Sequence, residues 1–360
     1  MKKVGILLGD AQGNGGISRV TWILSNRLCE NYDIYILSDY HNPKIKYDYN
    51  PRIHISYLTE NMTSVHRRIL SCTKGIKKFI KENRIDVLIC AGAIYFPPAT
   101  LAVKRTHAKF ICWEHSNVSV KNEHRFQGLC RWFGAKFADW IVPLTKTDAK
   151  LYQRVYGCKN VTSIYNPVDE RLLTTVKYDT DSKKIISVGR FCWQKNFEIL
   201  VKVANDVLGK NPGWSWDIYG DGETFETIQK LVADNHLEGR LNLMGRVNDL
   251  YNRYRDYSML VMTSRFEGFP MTLLESTAQG IPAIAFDVLT GPNEVIDDGV
   301  SGFLVEPDNI KQMVDRIQKL IDTPQMRETM SHACVIKRDI YNCETIVEKW
   351  NTLIDLVTSL

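Results

Sequence analysis

Residues 265–280, RFEGFPMTLLESTAQG, constrain this chain more than any other stretch. The apolar run Met259, Leu260, Val261, Met262 before them predicts a buried strand. Glu267-Gly268-Phe269 predicts a tight loop, and Pro270 the first residue of a helix, where its missing N–H costs nothing. The amides of Met271, Thr272 and Leu273 then lack intrahelical partners, and with the helix dipole they form a receptor for phosphate oxygens. Glu267 on the loop and Glu275 a little over one turn into the helix bracket that receptor, and Gly280 closes the helix. Carboxylates repel phosphate but accept hydroxyls, so the layout fits a diphosphate flanked by polyhydroxylated groups, as in a nucleotide sugar. A loop surface charge and a solvated helix carboxylate would read the same in isolation, so the rest of the chain must agree.

At 360 residues the chain exceeds the usual size of one core, and two domains are expected. No long apolar run of membrane-spanning length occurs, and the opening MKKVGILLGD reaches Asp10 too soon for a signal peptide, which predicts a cytoplasmic protein. Nine cysteines stand singly, without C-x-x-C pairing or a His at ligand spacing, so neither a disulfide framework nor a zinc site is expected. The net charge of +5 hides an asymmetry: residues 1–165 hold 25 Lys/Arg against 12 Asp/Glu, and the remainder 21 against 29. A basic first half predicts an anionic partner, a membrane surface or a phosphorylated acceptor; the acidic second half is poorly suited to nucleic acid.

Residues 4–8 predict a central parallel strand, followed by the glycine loop Gly13-Asn14-Gly15-Gly16 and an amphipathic helix over 17–28. Strand, glycine loop and helix can bring backbone close to phosphate. The loop lacks the G-x-G-x-x-G spacing, however, and Asp39 follows the next strand, 34–37, without ending it, so a plain turn is the other reading. Apolar runs at 87–90, 110–113 and 140–143 alternate with helical stretches, the pattern of a doubly wound parallel sheet with functional residues at the strands' carboxyl ends. His115 stands at such an end, within Trp113-Glu114-His115-Ser116-Asn117, and is expected to be functional.

Two segments are both basic and aromatic. Residues 67–81 place Ile69, Ile76, Phe79 and Ile80 among six Lys/Arg, and residues 121–140 include Lys121, Arg125, Phe126, Arg131, Trp132, Phe133 and Lys136. Both are expected to lie on an anionic leaflet with their rings at the interface. A helix packed on its sheet with a solvated basic face gives the same pattern.

Asn166-Pro167-Val168-Asp169 marks a domain boundary, and the polar stretch to Lys184 reads as a linker. A second α/β unit follows. Strands at 185–188, 216–219 and 241–244 end in Gly189-Arg190, Gly220-Asp221-Gly222 and Gly245-Arg246-Val247. Strands at 284–286 and 302–305 and helices at 293–296 and 310–321 come next. Ile346, Val347, Trp350, Leu353, Ile354 and Val357 predict a closing helix long enough to return to the first domain.

Glu267 and Glu275 are separated by seven residues in EGFPMTLLE, and occur with Gly15-Gly16, His115, Asn166-Pro167-Val168-Asp169, Gly189-Arg190 with Lys195, and GVSGFLV at 299–305. In this combination the chain resembles, over essentially its whole length, the family 4 retaining glycosyltransferases of GT-B fold. Thr290-Gly291-Pro292-Asn293-Glu294 resembles the version in enzymes that build bacterial surface polysaccharides. The resemblance implies two Rossmann-like doubly wound parallel-sheet domains (α/β) facing across a cleft. Residues 1–166, with a C-terminal helix at 345–360, would bind the acceptor, and residues 167–344 the nucleotide sugar.

The same resemblance implies a catalytic set of His115, Glu267, Arg190 and Lys195. Arg190 and Lys195 would hold the diphosphate as the leaving group gains charge. Glu275 would grip the ribose. Glu267 would hold sugar hydroxyls with the amides of Gly268, Phe269 and Met271, in the loop that also carries Pro270 and Thr272; proline itself cannot donate. Arg246 and Val247 would lie beside the base, Gly15 and Gly16 would let the first loop approach the phosphates, and His115 would meet the transferred sugar. No metal and no cofactor is implied. Retention would follow front-face attack with the departing phosphate as base, Glu267 as nucleophile being the other route.

The expected activity is transfer of a hexose or N-acetylhexosamine from a UDP-sugar to a saccharide acceptor, lipid-linked, by a cytoplasmic protein peripheral on the inner face of the membrane. The alternatives are a GDP-mannose-type donor with a soluble acceptor, a nicotinamide oxidoreductase, and a catalytically silent scaffold of the same fold. No nucleic-acid partner is expected.

Overall fold

The computed structural model describes residues 1–44, 46–61, 64–118, 125–173, 178–247 and 250–360. The chain divides into two compact units, Met1–Pro167 with Cys343–Leu360, and Val168–Asn342.

Unit one runs β1 (Lys3–Leu8), α1 (Gly16–Leu28), β2 (Asp33–Tyr40), β3 (His54–Thr59), α2 (Ile69–Asn83), β4 (Val87–Ala91), α3 (Phe96–Val103), β5 (Lys109–Glu114), α4 (Arg125–Phe137), β6 (Trp140–Pro143) and α5 (Lys146–Tyr156). Its sheet order is β3-β2-β1-β4-β5-β6, every pairing parallel. Parallel neighbours need crossover connections, whose helices cover both faces, and the aliphatic strand β4 is accordingly buried along its whole length. β3, HISYLT, is a strand that the apolar pattern did not predict: it sits at the sheet edge with none of its residues fully buried, so it carries little hydrophobic signal.

The two basic segments part company here. α2 turns Cys72, Ile76, Phe79 and Ile80 into the core, so the apolar stripe expected at a leaflet is spent on the sheet. Arg68 pairs with buried Asp39, which also accepts from Tyr95 Oη at 2.9 Å. In the second segment, residues 119–124, Lys121 among them, lie outside the described residues, as does the side chain of Arg125. Arg131 is buried, a correction to its expected surface role, whereas Leu129, Trp132 and Phe137 of α4 are exposed.

Unit two runs β7 (Lys184–Val188), α6 (Phe197–Lys210), β8 (Ser215–Tyr219), α7 (Phe225–Asp234), β9 (Leu241–Gly245), α8 (Leu250–Arg253), β10 (Met259–Met262), α9 (Met271–Ala278), β11 (Ala283–Phe286), α10 (Pro292–Val295), β12 (Gly302–Val305), α11 (Ile310–Asp322) and α12 (Pro324–Lys337). Its sheet, β9-β8-β7-β10-β11-β12, repeats the winding of the first. The stretch read as a linker is instead part of this unit: Leu172 is buried, its carbonyl accepts from Gln279 Nε2 at 2.5 Å, and Tyr178 Oη donates to Ser258 O at 2.5 Å. α12 escaped the periodicity because three of its five buried residues are polar or charged: Arg327, Ser331 and Lys337 beside Met330 and Cys334.

The last helix, α13 (Cys343–Ser359), belongs to unit one. Ile346, Trp350, Ile354 and Val357 are fully buried, Trp350 lies edge-on to Trp113 with ring centroids 5.1 Å apart, and Lys2 Nζ reaches Asp355 Oδ1 at 2.8 Å.

Candidate functional site

The carboxyl ends of four strands of unit two are tied together by their loops. Gly189 N–H donates to Tyr219 O (3.0 Å), Phe191 N–H to Asp221 O (2.7 Å), Gly220 N–H to Gly245 O (2.9 Å) and Arg265 N–H to Gln194 O (2.8 Å). Gly220 has φ +144°, and a Cβ there would stand 1.8 Å from the Gly189 carbonyl oxygen, so the two turns can meet only with glycine at this position. Ligands of open parallel sheets bind along this edge.

Glu267 and Glu275 are both buried, which removes the surface-charge reading of the pair. Lys195 Nζ lies 2.6 Å from Glu267 Oε1, with side-chain exposures of 16% and 7%, a charge-assisted contact in surroundings that strengthen it. The loop carrying Glu267 is held from behind. Thr290 Oγ1 donates to Glu267 O at 2.7 Å, and Gly291, at φ +100°, packs so closely that a Cβ would lie 2.7 Å from Gly268 O and from Pro270 Cδ. Glu275 Oε2 accepts from Tyr254 Oη at 2.8 Å.

The helix N-terminus differs in detail from the sequence reading. Pro270 is the N-cap, not the first helical residue, and α9 opens at Met271. The Pro270 carbonyl accepts from the amides of Leu273 (3.1 Å) and Leu274 (3.2 Å), so the amide of Leu273 is not available to an anion. Among the described residues the backbone N–H groups of Gly268 and Thr272 make no hydrogen bond, and no side chain caps the helix. Of the amides named in the sequence reading, those of Gly268 and Thr272 are therefore the ones left open at this helix end. The Phe269 side chain is buried against Tyr341, ring centroids 5.8 Å apart, and offers only its backbone.

Arg190 is exposed and makes no ion pair or hydrogen bond among the described residues. Arg246 is also exposed, 3.8 Å from Asp221 Oδ2 on the neighbouring strand end, and Val247 is half-buried. The expectation that the sequence holds no Asp-x-Asp carboxylate pair for a metal is corrected by one such string, Asp179-Thr180-Asp181. It precedes β7, at the opposite end of that strand from the site, and turns on itself, Asp181 N–H donating to Asp179 Oδ1 at 2.9 Å.

In unit one, Gly15 is the N-cap of α1 without a side-chain cap, and Gly16 is its first residue. Asp39 is committed to Arg68 and Tyr95, which takes from it the ribose-binding role a dinucleotide site would need. His115 follows β5, its ring tilted over Trp113 with centroids 4.3 Å apart, and Nε2 has no hydrogen-bond partner among the described residues. Burial pulls its pKa down to about 3, so the imidazole is neutral near pH 7. It is unsuited to carrying a proton there, and well suited to a hydroxyl. Tyr254 and Thr290 Oγ1 were not foreseen in unit two, because only the tertiary fold brings them to Glu275 and Glu267.

Two family models match, "Glycosyltransferase Family 4" over residues 14–172 and "Glycosyl transferases group 1" over residues 171–334. An uncharacterized glycosyltransferase of Haemophilus influenzae is 29% identical, the alignment covering 98% of this chain and all of that protein. The amylovoran biosynthesis glycosyltransferase AmsD of Erwinia amylovora is 28% identical over 99% of this chain and all of the relative. Among solved structures, a mutant of S. aureus TarM in complex with fondaparinux, α-GlcNAc-glycerol and UDP superposes with a TM-score of 0.84 at 17% identity, covering 98% of this chain and all of the other. At that identity the likeness speaks for the fold. The chain belongs to the family 4-type glycosyltransferases of GT-B fold.

Proposed function

We propose that this glycosyltransferase moves a hexose or N-acetylhexosamine from a UDP-sugar to a lipid-linked saccharide during assembly of a bacterial surface polysaccharide, with retention at the anomeric carbon. The observation that carries the reading is the Lys195–Glu267 pair, 2.6 Å apart, with Glu267 in the loop before a helix N-terminus that has no side-chain cap; exposed Arg190, at the end of β7, has no partner among the described residues. The amides of Gly268 and Thr272, with Arg190 and Lys195, are suited to a diphosphate; Glu267 and Glu275 are suited to the hydroxyls at its two ends. Arg246 and Val247 lie beside the base. Unit two takes the donor and unit one the acceptor, with Gly15 and Gly16 near phosphate and His115 accepting from or donating to a sugar hydroxyl. The bond from the anomeric carbon to the phosphate oxygen breaks, and its electron pair leaves with UDP. The acceptor oxygen bonds to that carbon, and its proton passes to the departing phosphate.

The amylovoran enzyme among the relatives, and the UDP and α-GlcNAc-glycerol of the TarM complex, support a polysaccharide product and a uridine donor. For the acceptor's setting, the exposed Leu129, Trp132 and Phe137 of α4 with Lys136 suit an anionic leaflet. No helix among the described residues is long and apolar enough to cross a membrane. A panel of UDP- and GDP-sugars, assayed for nucleotide release without acceptor, tests the donor. Release of UDP from one hexose or N-acetylhexosamine donor is expected; turnover of GDP-mannose alone would replace the uridine reading.

A further inference from the structure

A buried set of charges holds the backbone on either side of His115. Glu114, the last residue of β5, is 1% exposed; its Oε1 accepts from Ser116 N–H at 2.9 Å, and its Oε2 from Arg131 Nε at 2.9 Å and Tyr152 Oη at 3.0 Å. Asp148, in the first turn of α5 and 2% exposed, accepts from Val118 N–H at 3.1 Å through Oδ1 and from Thr145 Oγ1 at 2.6 Å through Oδ2. Arg131 reaches the set from α4. Thr145-x-x-Asp148 is a capping-box string, yet the carboxylate reaches across to Val118 N–H on the loop that leaves His115.

Buried ion pairs are poor stabilisers, because desolvation offsets their attraction and apolar side chains of similar volume would serve as well. Here two carboxylates each spend an oxygen on a backbone N–H of one loop, one residue and three residues after His115. Among the described residues the imidazole Nε2 has no bond of its own to hold it.

We infer that Glu114, Arg131 and Asp148 are positioning residues: together they fix the backbone at Ser116 and Val118, and so set where the His115 ring stands at the carboxyl edge of the sheet. This rests on the reading of His115 as a ligand of the transferred sugar. Asp148 makes the placement sensitive to pH. Burial raises its pKa from 3.8 to about 6, opposed by the bonds from Thr145 and Val118 and by Arg131 of α4, and assisted by Glu114 of β5. Tyr152 stays neutral, its pKa pushed up by burial. As pH falls through about 6 the set gains a proton, Asp148 no longer attracts the Val118 amide with a full charge, and the loop relaxes.

His115 itself does not titrate near pH 6, so its ring resonances can report the change. In the full chain with labelled histidine, the His115 signal, assigned by its loss in His115→Ala, is expected to move with a midpoint near 6. That movement is expected to vanish in Asp148→Asn. In Thr145→Val, which removes a bond favouring the ionised form, the midpoint is expected to move to higher pH. A His115 signal that stays still in wild type, or moves identically in Asp148→Asn, overturns the inference. Parallel rates of UDP release separate the two readings. Wild type is expected to lose up to about tenfold in kcat/KM per pH unit below that midpoint, and Asp148→Asn to lose that limb. If His115→Ala keeps wild-type kcat/KM while the resonance shift stands, the sugar-ligand reading falls and the positioning holds.

Discussion

At the scale of single residues, Arg190 and Lys195 separate binding chemistry from folding. Arg190 is exposed and has no partner among the described residues, so Arg190→Ala is expected to change stability by less than about 0.5 kcal/mol while lowering turnover by about 10²-fold or more. A thermal melt beside a donor-turnover assay checks it, and normal kcat would remove the charge-stabilisation argument. Lys195→Met is a different case, because it strands buried Glu267; a loss of about 3 kcal/mol or more should accompany the loss of activity, and Lys195→Met with Glu267→Gln should recover stability but not turnover. Asp148 gives a linkage test. Its folded pKa is raised, so the native state holds the proton more tightly, and the stability this confers is present below about pH 4 and lost as pH rises through about 6. The cost of the ionised form is about 3 kcal/mol, so Asp148→Asn should gain on wild type by that amount between those limits. Melting points of the two proteins that run parallel across that range would contradict it. The spacing of Glu267 and Glu275 could be read in the sequence because one loop and one helix carry both; Tyr254 and Thr290 could not, because their partners are 21 and 23 residues away.

Among the elements, α9 is distinguished by how it begins. The loop before it keeps its shape because Thr290 and Gly291 press against Glu267, Gly268 and Pro270, so Gly291→Ala is expected to impair donor turnover at a site the side chain never touches. α4 faces two ways: Arg131 is buried inward, and Leu129, Trp132 and Phe137 face solvent. Flotation with anionic liposomes should be reduced by Trp132→Ser with Phe137→Ser and by raised salt; no binding by the wild type even at low salt would reject the leaflet reading. α2 and α4 have similar basic and aromatic sequences and different environments. Periodicity reports that a helix has an apolar stripe, and it does not report whether a sheet or a leaflet covers it. β3 and α12 went unread for the opposite reason, since neither buries a predominantly apolar face.

For the molecule as a whole, each unit repeats one winding and has its own core, yet unit one is assembled from the two ends of the chain. α13 is integral to it. Trp350→Ala is expected to cost unit one about 3–5 kcal/mol and to lower its melting transition, read by tryptophan fluorescence or calorimetry. The sequence alone determined the alternation of aliphatic strands with helices, the glycine turns at the strand ends, and the spaced glutamates at a helix N-terminus, because these depend on neighbours a few residues apart. Only the tertiary structure decided that Glu267 is matched by Lys195, that Asp39 is taken by Arg68, and that Glu114 is matched by Arg131. Each of those pairings joins strand ends or helices distant in the chain, and desolvation inside a packed sheet, which no local pattern records, sets its strength.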